Sequence, residues 1–276
     1  MEKMKSIFKE WFKTELARSH FSRRCWTVIA MHEIRDIQKF RNFLDRVQDV
    51  YQIISLSEGF KTTQLKKIKR PLLTLTFDDA DRTVYENCLP EIRRRALPAC
   101  LFVCTGYVAA GFRDTPEGPF AVMTWEQLKE WRDAGLEIGG HTANHIPLYQ
   151  ATLERAQWEI MECKRMLEER LNCEATHFAY PYGHFTDALH DWLEMEQSIQ
   201  TVSTMIPIDN YPGFRGKHIY RKTIPRVIQN WKSELRNRNL YETVRGAYHR
   251  KLLNNLSPVL WQMESGRPTA YGGYGQ

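Results

Sequence analysis

Apolar runs alternate with amphipathic stretches along this chain. Residues 25–31 (CWTVIAM) read as a buried strand that ends at His32-Glu33. Residues 36–48 carry helical periodicity, and residues 51–56 read as a short strand. Residues 72–77 (LLTLTF) predict a strong strand that stops abruptly at Asp78-Asp79. A helix is expected over 84–95, a buried strand over 99–105 (ACLFVCT), and a loop over 107–121, where Gly and Pro recur. Thr124 and Gln127 have capping-box spacing and predict a helix over 125–134, closed by Gly135. A short strand over 136–138 follows. The clearest helix is 153–171, with Ala156, Ile160, Met161, Cys163, Met166 and Leu167 apolar. Residues 176–179 read as a strand leading into Tyr180-Pro181-Tyr182-Gly183. A helix over 186–193, a strand near 200–204 and a helix near 231–238 complete the pattern. Strands alternating with helices predict an α/β chain with a parallel sheet, open or closed.

Residues 1–24 read as a separate amphipathic helix. Met4, Ile7, Phe8, Trp11, Phe12 and Leu16 recur at helical spacing among Lys3, Lys5, Lys9 and Lys13. Two readings fit it: a helix packed on the main body, or a basic helix on an anionic membrane surface. Residues 25–264 are expected to form one domain, and the Gly-rich residues 265–276 a disordered tail.

Composition narrows the class. The chain has 276 residues, with 39 Lys and Arg against 33 Asp and Glu, a formal charge of +6. Lys66, Lys67, Lys69 and Arg70 form one basic cluster and Arg93, Arg94 and Arg95 another, both read as solvated surface. No zinc-finger, RNA-binding aromatic or basic-zipper pattern is visible, so no nucleic-acid partner is expected. Six scattered cysteines without a CxxC pair are expected to be reduced and buried. No window reaches the roughly 18 apolar residues of a membrane span, and the first thirty residues hold no signal-type apolar core. The cytoplasm is the expected compartment, with peripheral contact at the inner membrane face as an added expectation from the N-terminal helix.

Candidate chemistry gathers where strands end, the usual place for active sites in parallel α/β folds. Asp78-Asp79 suits either an exposed turn or a site where a cation offsets two adjacent carboxylates. His141 and His145 stand four apart. If helical, they lie on one face and can bind one metal. Gly139-Gly140 before them would permit close approach. With a strand-end Asp they offer two nitrogens and one oxygen, a set that leaves positions open for catalysis. Tyr180-Pro181-Tyr182 reads either as a plain connection or as a pocket wall whose backbone N–H faces an oxyanion. His32, alone, reads as an ordinary histidine or as a site residue at the end of a buried strand.

Taken together, LTLTFDDA, GGHTANH and FAYPYG resemble the motifs of the polysaccharide deacetylases, carbohydrate esterase family 4 or the NodB-homology group, over residues 26–230. The resemblance implies an α/β fold, a distorted (β/α) barrel with fewer than eight strands, as the catalytic domain. It implies that Asp79, His141 and His145 bind a metal, usually Zn2+, with Co2+ or Ni2+ as alternatives, and that Asp78 is the general base. Ala179 stands where the family carries an arginine beside the catalytic Asp, Ala80 replaces a usual Gly, and no late Leu-x-His is found. These departures resemble the poly-N-acetylglucosamine deacetylase subgroup, in which the late histidine moves to the N-terminus. His32 then becomes the general acid, and Arg226 the replacement arginine. Tyr180, Pro181 and Tyr182 become substrate-binding or oxyanion residues, and the loop over 107–122 shapes the sugar pocket. The expected activity is metal-dependent removal of N-acetyl groups from an amino-sugar glycan or precursor. The alternatives are an inactive sugar-binding protein on the same fold, and an amidase or deformylase acting on a non-polymeric substrate.

Overall fold

The computed structural model describes residues 25–64, 71–116, 118–206, 209–210 and 216–223. The expected helices over 1–24 and 231–238, the tail over 265–276, the basic cluster at Lys66, Lys67, Lys69 and Arg70, and Arg226 lie outside these residues.

In chain order the elements begin β1 (Trp26–Met31), α1 (Ile37–Val50), β2 (Gln52–Ile53), α2 (Leu56–Gln64) and β3 (Leu72–Asp78). A π-helical turn, Val84–Cys88, leads into α3 (Leu89–Arg94), then β4 (Cys100–Val103) and α4 (Thr105–Ala110). A small hairpin of β5 (Phe112–Arg113) and β6 (Phe120–Ala121) precedes α5 (Trp125–Asp133) and β7 (Glu137–Gly140). The remainder is α6 (Leu153–Leu171), β8 (His177–Ala179), α7 (Asp187–Met195), β9 (Thr201–Thr204), β10 (His218–Tyr220) and β11 (Lys222–Thr223).

The main sheet runs β10-β9-β8-β7-β4-β3-β1-β11, with β2 beside the start of β3. Its pairings are parallel. β10 and β11 are one stretch of chain interrupted at Arg221, so the two ends of this order meet and the sheet closes. That path has eight strand segments, more than the expected number, because Arg221 divides the last pass in two. Counted as passes of the chain, the ring has seven. Asn210 seals the seam. It exchanges backbone hydrogen bonds with Trp26, its side-chain N–H groups reach the Trp26 and Tyr220 carbonyls, and its Oδ1 accepts from Tyr220 N–H.

Period-two alternation sorts the strands into two faces. On β3, Leu73, Leu75 and Phe77 pack outward with Phe40, Phe43 and Leu44 of α1 and Trp131 of α5. Leu72, Thr74, Thr76 and Asp78 face the barrel interior, where Leu72 joins Trp26, Val28, Cys100 and Phe102. The interior threonines bond to backbone, Thr74 to the Ile54 carbonyl and Thr76 to the Ile29 carbonyl, which removes the cost of burying them. All six thiols are free, and every one but Cys173 is buried.

Local signals explain the helices. Thr124 and Gln127 form the expected capping box on α5. Asp36, Thr152 and Thr186 cap α1, α6 and α7. Two expectations change. Only Gln52–Ile53 of residues 51–56 forms a strand, since Leu56 already opens α2. The loop over 107–121 contains the end of α4 and the β5–β6 hairpin, linked to the main chain by a bridge between Asp81 and Val122. Among the described residues, no helix is long and apolar enough to cross a membrane.

Candidate metal centre

Strand register delivers the site. Met31 pairs with Phe77, so His32 follows at the level of Asp78. Its Nε2 lies 4.0 Å from Asp78 Oδ2. Val103 pairs with Gly140, and Gly140 with Phe178, so His141 emerges at the level of Ala179. The polar groups thus collect at the C-terminal rim of the barrel.

Asp78 and Asp79 are both buried, at 2% and 3% exposure. The exposed-turn reading is therefore excluded. They reach one rim because the strand ends between them: Asp79 and Ala80 take left-handed backbone conformations (φ 69° and 56°). The second of these is the position where the resembling family carries glycine. The histidines are not on a helix. Residues 141–145 form a turn with Thr142 and His145 also left-handed (φ 68° and 54°). Such strain concentrates at functional sites and persists only where surroundings over-determine it. Here the restraint comes from Glu159 of α6, which is fully buried. Its carbonyl accepts from Ala143 N–H, and its carboxylate accepts from Asn144 N–H (2.8 Å), the Asn144 amide (3.0 Å) and Arg155 (2.6 Å). Gly139 serves packing rather than site access, since a Cβ there would lie 2.7 Å from the His177 carbonyl oxygen.

Asp79, His141 and His145 bring one ligand atom each within 4.8 Å of one another. Asp79 Oδ1 lies 3.2 Å from His145 Nε2 and 3.6 Å from His141 Nε2. Donors sharing a tetrahedral ion at 2.0–2.1 Å stand about 3.3 Å apart. Asp79 Oδ2 accepts from Arg113 of the hairpin, while Oδ1 is buried without a hydrogen-bond partner. His141 Nδ1–H donates to the Ala179 carbonyl at 2.7 Å, which leaves Nε2 as the lone-pair nitrogen facing Asp79. Burial pushes the His141 imidazole down to about 4, against the pull of Asp78 and Asp79, so it is neutral near pH 7. Burial alone would raise Asp79. The nearby His145, with His141 and His32, outweighs it and holds the carboxyl well below its usual range. An orphaned oxygen, a fixed tautomer and this protonation state fit a divalent transition ion.

Asp78 is held by a residue that motif reading missed. Arg221, fully buried between β10 and β11, donates to Asp78 Oδ1 at 2.6 Å and Oδ2 at 3.0 Å. It also reaches Thr76 Oγ1 and the Thr204 carbonyl, and lies over the Phe102 ring. Burial would raise the Asp78 carboxyl, but Arg221, followed by His141 and His32, brings it below its ordinary value. Arg221 therefore occupies the place the resemblance gave to an arginine beside this Asp. Its only sequence signal is a cation beside Lys222 in the strand-like HIYRKT. Arg113 is a second residue missed, hidden in what read as loop.

The Tyr180-Pro181-Tyr182 turn divides. Tyr182, 54% exposed with φ 61°, sets its ring edge-on to His145 at 4.9 Å. Tyr107 stacks on the same imidazole at 5.3 Å. Pro181 is buried in the turn. The Tyr180 side chain leaves the site altogether. It is fully buried, packs on Phe178 and Phe185, and its hydroxyl meets His218 Nε2 at 3.1 Å.

Comparison with known proteins agrees with this architecture. The family model described as "Polysaccharide deacetylase" matches residues 66–197. That span holds Asp78, Asp79, His141, His145 and the 180–182 turn, while His32 and Arg221 fall outside it. YxkH of Bacillus subtilis (strain 168) is 25% identical over 138 residues, 50% of this chain and 46% of that protein. The "Poly-beta-1,6-N-acetyl-D-glucosamine N-deacetylase" of Staphylococcus epidermidis is 23% identical over 145 residues, 49% of each chain. This chain spans about half the length of the curated relatives it matches. The solved structure of IcaB from Ammonifex degensii superposes with a TM-score of 0.67 at 24% identity, covering 75% of this chain and 95% of that one. The shared fold is the (β/α) barrel described above.

Proposed function

We propose that this chain, whose residues 66–197 match the polysaccharide deacetylase family model, is a metal-dependent hydrolase that removes N-acetyl groups from an amino-sugar glycan or glycan precursor. The observation that carries this reading is the convergence of Asp79, His141 and His145 beside Asp78, with His32 Nε2 4.0 Å from Asp78 Oδ2. The named relative in Staphylococcus epidermidis supports an N-acetylglucosamine-type substrate.

Asp79 Oδ1, His141 Nε2 and His145 Nε2 would hold the ion. Zn2+, or Co2+ or Ni2+ in its place, supplies Lewis acidity that acidifies a water and polarises the acetyl carbonyl. Asp78 takes the proton from the attacking water, its carboxylate kept ionised and aimed by Arg221. The Tyr182 backbone N–H donates to the developing oxyanion. His32 delivers a proton to the departing amine, which otherwise leaves poorly. The amide C–N bond breaks, and acetate and a free amino sugar result. The half-exposed Tyr182 ring offers a flat apolar face to a sugar.

The test is acetate release from N-acetylglucosamine oligomers by the metal-loaded chain and its Asp78→Asn variant. Release by the wild type, with a roughly 10²–10⁴-fold loss in a variant that still binds metal, is the expected result. Equal turnover by Asp78→Asn would remove the proposed base.

A further inference from the structure

Behind the Tyr180 turn lies a second constellation that the site above does not use. His190 and Glu194 stand one turn apart on α7 and so share a face, and His218 comes from β10. One potential ligand atom from each lies within 4.8 Å of the others. His190 Nδ1 is 3.1 Å from His218 Nε2. His218 Nδ1–H donates to Glu194 Oε1 at 2.8 Å. That bond fixes the tautomer and leaves His218 Nε2 as a lone pair, turned toward His190 and the Tyr180 hydroxyl. A carboxylate on the far nitrogen of an imidazole is the arrangement that orients metal-bound histidines.

We propose that His190 Nδ1 and His218 Nε2, with Glu194 orienting the His218 ring, form a second binding site for a divalent transition ion of the imidazole-preferring class, such as Zn2+ or Co2+. Two imidazole nitrogens suit these ions better than Mg2+ or Ca2+. The 3.1 Å nitrogen separation is close to the roughly 3.3 Å of two donors on one tetrahedral ion. The rings now lie with centroids 4.0 Å apart and planes inclined by 33°, so His190 must turn to aim its lone pair. His190 is only half-buried and has room to do so, whereas His218 is 4% exposed and fixed. The nearby Lys217 ammonium is drawn onto the Leu193 and Glu196 carbonyls at the end of α7 and does not take the ion's place. An ion here ties α7 to β10, the pass that closes the barrel, so its role is a staple.

The test is metal titration of the metal-stripped full chain with Co2+, read by visible absorption and elemental analysis, with thermal unfolding alongside. Two ions per chain are expected in the wild type. The His190→Ala/Glu194→Gln variant, whose replaced groups lie outside the core, should bind one and remain folded by circular dichroism. His141→Ala should also bind one, and that ion should still raise the unfolding temperature. A wild type that binds no ion, or a single ion lost in His141→Ala, would overturn the second site. So would two ions retained by the His190→Ala/Glu194→Gln variant. A wild type binding one ion that His141→Ala keeps would support the staple and count instead against the metal centre of the proposed hydrolase.

Discussion

Arg221 grips Asp78 with both terminal nitrogens, at 2.6 and 3.0 Å, across 143 positions of sequence. Neither group is exposed enough for water to substitute for the other. Removing one partner of a buried pair costs about 3–5 kcal/mol because the remaining charge is uncompensated. Arg221→Met should therefore lower stability by about that amount, measured by denaturant unfolding. Arg221→Lys retains charge but not the planar two-point grip. Its stability loss should be smaller, while kcat falls at least 10-fold with KM nearly unchanged.

Glu159 holds the turn that carries His141 and His145 without touching either imidazole. Glu159→Gln keeps the size but replaces an acceptor oxygen with a donor amide. One of the two Asn144 bonds is lost. Outer partners of this kind are worth roughly 10–100-fold in metal affinity. The variant should bind Zn2+ more weakly by that factor in a competition titration, and excess metal should restore its turnover. Loss of turnover that metal cannot restore would argue against this role.

His32 is needed only if the leaving group is a poor one. His32→Ala should lose roughly 10²–10⁴-fold of its amide turnover. On an activated aryl acetate, whose phenolate departs without a proton, the loss should stay within about 10-fold. Equal losses on both substrates would show that His32 does not act as the general acid.

Glu137 caps the start of α2, accepting from Leu56 N–H at 2.7 Å and Ser57 N–H at 3.1 Å, and faces His177. Burial would raise its carboxyl, but His177 and Ser57 outweigh it and hold the group at about 2, against an ordinary 4.5. A carboxyl depressed in the folded state binds fewer protons there than in the unfolded chain. Its stabilisation is thus complete above about pH 4.5 and is lost as pH falls toward about 2. Glu137→Gln should flatten the fall in stability over that interval, as measured by urea unfolding at a series of pH values.

The sequence made the ring of strands legible wherever alternation or an apolar run was strong, as in residues 72–78 and 100–103. The capping box also marked α5, and apolar spacing marked α6, to within a residue. Other features leave no local trace. The His141–His145 spacing suggested a helix, but left-handed residues at Thr142 and His145 make a turn that brings the imidazoles together differently. No periodicity announces a left-handed alanine or threonine. Arg221 could not be paired with Asp78 from sequence, because their contact depends on ring closure. Tyr180 shares a motif with Tyr182 yet serves the core, since the turn over 181–183, with Tyr182 left-handed, sends the second ring another way.

The interruption at Arg221 has a consequence for how the chain is made. The segment over 218–223 joins β9 to β1 and is the last described part of the barrel to leave the ribosome. Until it docks, a nascent chain can contain the proposed ligands, base and acid, yet leave Asp78 without its arginine. The pairing of Ile29 with Lys222 spans most of the described sequence, and such distant contacts form slowly. Translation must therefore run almost two hundred residues beyond β1 before the proposed base gains its arginine, and any truncation ahead of residue 218 yields a chain with its chemistry spelled out and its barrel still open.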